Sequence, residues 1–144
     1  MTTNYQQEQT EEPRPGVRLG LPAEGSGAVA GGGRRIAGLF VDMVASYVVA
    51  ALFVHKSQGG VPTPGGWASL VFLLETTILV SAAGQSIGMY ALRLRVISRT
   101  GGLIKPYQAL VRSVLLLLLV PALVWDADRR GLHDKAAGAI VVNA

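Results

Sequence analysis

Residues 34–54 read RRIAGLFVDMVASYVVAALFV. An apolar run of about 19 residues, Ile36 to Val54, follows two arginines, close to the ~20 residues needed to cross a hydrocarbon core ~30 Å thick. A carboxylate, Asp42, stands about two turns past Arg34 and Arg35. On insertion scales an aspartate at that depth costs roughly 2.5–3.5 kcal/mol, so it is expected to face protein, water or a partner charge. Helical spacing puts Arg35, Gly38, Asp42, Ala45 and Val49 on one stripe, while Ile36, Phe40, Met43, Tyr47 and Val48 lie mostly off it. The small residues of the stripe admit a neighbouring helix, so Asp42 is predicted to point into a bundle.

Two more apolar segments follow. Trp67 to Ala83, WASLVFLLETTILVSAA, runs about 17 residues and carries Glu75 at its middle. Trp67 sits where an interfacial anchor belongs. Val111 to Trp125 runs about 15 residues, or about 22 Å, with Pro121 near its end. It is predicted to extend back through Ala109 and Leu110, to thin the bilayer, or to enter only part-way under cover of the other helices. The fold class expected is therefore an all-α membrane protein, a small polytopic bundle of two transmembrane helices plus a third short apolar helix. Residues 92–98 alternate apolar and basic side chains, and residues 139–142 are β-branched. These two runs predict a small cytoplasmic β pair.

Composition agrees with a membrane class: half of the 144 residues are hydrophobic, 15% are charged and 18 are glycine. Residues 1–32 combine Gln, Glu, Pro and Gly without a hydrophobic period and read as a disordered tail, with the domain proper at 33–143. They lack the basic start and early apolar core of a signal peptide. With no cysteine there is no thiolate chemistry and no disulfide. The net charge of +4 is spread beside apolar segments rather than forming a nucleic-acid tract.

The basic residues also orient the chain. Arg34 and Arg35 precede the first helix, Lys56 alone lies in the next connection, and Arg93, Arg95, Arg99, Lys105 and Arg112 crowd the one after. By the positive-inside rule the N-terminus is cytoplasmic. The tail after Trp125, with Arg129, Arg130 and Lys135, also prefers the inside, which three full spans forbid. A third segment that dips in and returns removes the conflict.

Counted along the helices, Asp42 lies about 9 Å and Glu75 about 12 Å from the cytoplasmic ends of their helices. If their faces meet, they share a proton or bracket a cation. The structural alternative holds Asp42 against Arg35, Arg34 or Arg112 and makes Glu75 interhelical glue. Arg129, Arg130, Asp134 and Lys135 are expected to form a juxtamembrane cluster, Asp134 reaching Arg93, Arg95 or Arg112. His133 is expected in a juxtamembrane polar cluster with Arg95, Arg112 and Asp134; a dyad or metal site with Asp134 is the weaker alternative, because adjacent helical residues point about 100° apart and His55, the other histidine, belongs to the opposite face. No activated nucleophile, metal-ligand set or cofactor fingerprint is present, so no enzyme and no cofactor is expected.

From the first helix onward, over residues 33–143, the sequence resembles the RDD family of bacterial integral membrane proteins, named for one arginine and two aspartates. Arg35, Ala37 and Asp42 match its opening; Gly84, Gln85, Ser86 and Gly88 match its GQT-x-GK turn. Arg95 and Val96 match the strand after it, and Ala109, Leu110 and Arg112 the approach to the third helix. Gly131, Leu132, His133 and Asp134 match its GLHD signature, and Gly138, Ile140, Val141 and Val142 its ending. Met89 stands where the turn usually carries lysine. The resemblance implies a polytopic membrane location and, for function, transport such as cation/proton exchange; the alternative is an accessory or scaffold subunit. The partners expected are the bilayer with its anionic headgroups and a second membrane protein or further copies of the chain, with no nucleic acid.

Overall fold

The computed structural model describes residues 14–58, 66–118 and 130–144. The described elements run α1 (Gly32–Gln58), α2 (Trp67–Ala83), α3 (Ile87–Ala91), β1 (Leu94–Ser98), α4 (Pro106–Leu117), α5 (Leu132–Ala136) and β2 (Ala139–Asn143), with a single 3-10 turn at Val17–Leu19 before them. The protein is mostly helical, with one two-stranded sheet.

One helix is long and apolar enough to cross a membrane: Gly32–Phe53, 22 residues, or about 33 Å. Its side chains are arranged inside out relative to a soluble protein. Gly38, Asp42, Ser46 and Ala50 are buried, one turn apart, whereas Ile36, Phe40, Met43, Val48, Leu52 and Phe53 are all exposed. Only 22% of the apolar window is buried, and a core helix of a soluble domain shows the opposite. The expected stripe was displaced by a fraction of a turn: Ser46 is buried and Ala45 and Val49 are only half-buried.

The expectation of two confident spans is met only in part. α2 has 17 residues, about 25 Å of helix, and α4 has 12 described residues. α4 starts earlier than the apolar run, because Pro106 supplies a preset first turn and the Gln108 side chain accepts from the Lys105 amide at 2.9 Å. Pro121 and the rest of the third apolar segment lie outside the described residues, as do residues 1–13 of the tail.

The predicted β pair forms. β1 and β2 are antiparallel, with Leu94 opposite Asn143, Val96 opposite Val141 and Ser98 opposite Ala139. β1 buries Leu94 and Val96 and exposes Arg95 between them; Ala139 through Val142 are buried on both faces, which is why the C-terminal run does not alternate. The edge of β2 away from β1 is paired too, by a stretch that composition assigned to the tail. Ala28 and Ala30 are buried, Val29 bridges Val142, and the Ala30 amide donates to the Val141 carbonyl at 2.9 Å. Backbone hydrogen bonding carries no compositional signal, so a Gly/Ala stretch can line a strand while reading as a linker.

The main hydrophobic cluster gathers beneath this sheet, where Leu94, Val96, Val141 and Ala139 meet Ile104, Ala109, Met89 and Val80. Between the long helices the interior mixes polar Asp42, Ser46, Thr76 and Ser113 with apolar Ala50, Phe72 and Leu116.

Candidate functional site

Two polar centres lie along the helices. The first surrounds Asp134, in α5 and fully buried. Arg112 of α4 donates through Nε to its Oδ1 at 2.7 Å, Arg35 of α1 through Nη1 to its Oδ2 at 3.4 Å, and His133 Nε2 stands 3.2 Å from Oδ1. Burial opposes the charge, but Arg112, the His133 hydrogen bond and Arg35 outweigh it and hold the carboxyl well below the usual carboxylate range. Arg35 also donates to the Val141 carbonyl at 3.0 Å, and Arg34 to the Asn143 side chain at 2.9 Å and to the Leu92 carbonyl. The two arginines that open α1 therefore fasten it to β2. Gly131 precedes α5 because a β-carbon there would run into the His133 ring.

The second centre lies deeper. Asp42 is buried, and its carboxylate accepts from the Ser86 hydroxyl (Oδ2, 2.6 Å) and from the Gly88 amide (Oδ1, 2.6 Å). Both donors belong to the turn from α2 into α3. That turn exists because Gly84 ends α2 at φ 73°, its amide bonded to the Val80 carbonyl. α3 then crosses α1 so closely at Gly38 that a β-carbon on Gly88 would collide with the Gly38 carbonyl. One turn along α1, Ser46 donates to Glu75 Oε2 at 2.8 Å. The second oxygen, Oε1, is buried without a hydrogen-bond partner among the described residues. On the other side of α2 the Thr76 and Ser113 hydroxyls lie 2.8 Å apart, tying α2 to α4.

The two carboxylates are within electrostatic reach of each other, and Asp42 is within reach of Arg112. Of the candidates named from the sequence, Asp42 and Glu75 thus share one interior, and Arg35, Arg112, His133 and Asp134 form one cluster. Arg95 does not join it: it is exposed on β1. The arginine partners expected for Asp42 are replaced by a hydroxyl and an amide, because α3 reaches it first while Arg35 is drawn to Asp134. Sequence reasoning missed Ser46 and Ser113 as partners. The signals were present, since Ser46 lies four residues after Asp42 and Ser113 directly follows Arg112.

The geometry makes one centre a carboxylate held by two guanidinium groups and an imidazole, and gives the other an acid, Glu75, whose Oε1 has acceptor capacity to spare. No curated protein and no solved structure matches the chain. The model of the RDD family matches residues 29–138, a span that takes in α1, the turn at Ser86 and the Asp134 cluster together, and the chain belongs to the RDD family.

Proposed function

We propose that this chain is a multi-pass protein of the bacterial cytoplasmic membrane that moves an ion, a proton or a small solute, with Glu75 as the exchanging group beside Asp42. The observation that carries this reading is the buried Glu75 Oε1, which has no hydrogen-bond partner among the described residues and lies within reach of a second carboxylate. An acceptor left open in that setting gains from a proton or a cation.

The topology that goes with it is supported by the sheet. Residues 27–30 pair with β2, and β2 pairs with β1, so the start of α1, the segment after α3 and the C-terminal strand share one side. An outward α1 and a returning α2 satisfy this. Arg34, Arg93, Arg95, Arg99 and Lys105 mark that side as cytoplasmic and adjacent to anionic headgroups. Three short apolar segments enclose little volume, so the working unit is an oligomer or a complex with another membrane protein. Neither catalysis nor nucleic-acid binding enters this reading.

Its test is flux into vesicles with imposed cation and proton gradients, for wild type and Glu75→Gln inserted to equal density. The variant is expected to lose at least about tenfold of the flux, the scale of removing one essential proton acceptor. Wild-type flux equal to that of empty vesicles would sink the transport reading. A second reading, an accessory or scaffold subunit, is favoured by the complete use of Asp42 in holding α3. In that case Asp42→Asn changes assembly or partner recovery, and no variant changes flux.

A further inference from the structure

The Asp42 carboxylate ties three elements together. It sits on α1, its donors Ser86 and Gly88 open α3, and α3 runs within three residues into β1. The two helices also meet where Gly38 lies against the Gly88 backbone, beside the Leu92 side chain. Further on, Arg34 holds the Leu92 carbonyl just past the end of α3. The grip on Ser86 and Gly88 consists of two short bonds to a carboxylate, and such bonds are roughly twice as strong when the acceptor is ionised. The charged and titratable groups that face Asp42 are Glu75 from α2 and Arg112 from α4. α3 presents the Ser86 hydroxyl and the Gly88 amide to Asp42 and the Ile87 amide to Glu75, an amide for which Glu75→Gln keeps an acceptor; Gly38 is its neighbour on α1.

We propose that Asp42 is a charge-controlled latch on α3, set by the state of Glu75: the anionic carboxylate seats α3 on α1, and its neutralisation releases α3 and loosens the connection into β1. Glu75 acts through like-charge repulsion. While Glu75 is anionic it opposes the charge of Asp42 and weakens the latch; once Glu75 carries a proton or a cation, Asp42 keeps its charge and α3 closes. Arg112, shared between Asp42 by field and Asp134 by contact, favours the closed form. The idea rests on the reading that Glu75 changes its charge, and it converts occupancy inside the membrane into a movement at the sheet.

Hydrogen exchange of the full-length protein in lipid nanodiscs tests it, read at the amides of residues 88–92 at one fixed pH. Asp42→Asn retains an acceptor for Gly88 but leaves the Ser86 hydroxyl without one, and is expected to speed exchange about tenfold. Glu75→Gln is expected to slow exchange severalfold, the opposite direction, and to have no effect once Asp42 is already Asn. Ser86→Ala removes one donor to Asp42 without touching a charge; because the same hydroxyl caps α3 by accepting from the Met89 amide, this variant is read at residues 90–92 alone, where exchange is expected to be about fivefold faster. It carries the first arm if Asp42→Asn fails to insert. Exchange unchanged in Asp42→Asn and Ser86→Ala, or faster exchange in Glu75→Gln, would overturn the latch. Loss of flux in Glu75→Gln with α3 exchange unchanged would keep the transport reading and remove the latch. Slower α3 exchange in Glu75→Gln with no flux in wild type would do the reverse.

Discussion

Asp134 is fully buried under the sheet, Glu75 is half-buried between the long helices with its Oε1 enclosed, and their surroundings differ in kind. Asp134 receives Arg112, Arg35 and His133 on its two oxygens, whereas Glu75 faces a serine hydroxyl and the Ile87 amide but no cation in contact, and its Oε1 makes no hydrogen bond among the described residues. The first is arranged so that its charge never changes under ordinary conditions, and it locks α1, α4 and α5 to one another. The second is arranged so that a change of charge relieves something. Asp42 is nearly as buried as Asp134 yet has no arginine in contact, so burial alone does not tell how an acid is compensated; the donors around it do.

If that contrast is right, the largest effect belongs to Asp134. Asp134→Ala leaves two guanidinium groups enclosed without their carboxylate and is expected to cost about 3–5 kcal/mol. Thermal unfolding in detergent checks it, and a loss below about 1 kcal/mol would mean that Asp134 is no more essential than Glu75. Acid gives the same information without mutation. The folded-state pKa of Asp134 lies below its ordinary value of 3.8, so its stabilisation is complete above that value and is lost as the pH falls through it toward the lower folded value. The melting temperature of wild type is expected to drop steeply below about pH 4, and part of that drop is expected to vanish in Asp134→Asn.

A smaller effect is expected at the deep centre's steric seat. Gly88→Ala places a methyl group against the Gly38 carbonyl and is expected to cost about 1–3 kcal/mol, with the damage confined to the α3 region in hydrogen exchange. Spread of that damage to α5 would show that the two centres are one unit. Smallest is Arg95→Ala. Its side chain is exposed and outside the cluster, so unfolding is expected to shift by no more than about 0.5 kcal/mol. A larger shift would restore Arg95 to the Asp134 cluster.

Much of this could be read from residue order. The apolar period identified α1 and α2, the alternation at 92–98 and the β-branched ending identified both strands, and the cost of a carboxylate in hydrocarbon singled out Asp42 and Glu75. Asp134 was also singled out, although its partners were divided among three arginines, of which Arg112 alone touches it. Less legible was the stretch before α1. Val29 and Ala30 look like linker because glycine and alanine show no amphipathic period, and their attachment to β2 runs through backbone groups that every residue carries. The partner of Asp42 was also misjudged. Charge attraction suggests arginine, but a short helix brought in by Gly84 and Gly88 delivers a hydroxyl and an amide at closer range.

Sequence by itself determined which segments are helices and strands, that the first helix is fit for a membrane, and which acids needed an explanation. Those properties depend on neighbours within a few residues, through the helical and strand periods and the hydrocarbon cost of each side chain. Only the tertiary structure decided which acid is satisfied and which is not. The donors of Asp42 lie 44 and 46 residues along the chain, and Arg35 reaches Asp134 across 99. At such separations the pairing is set by how α1, α3 and the sheet pack, and no local pattern records it.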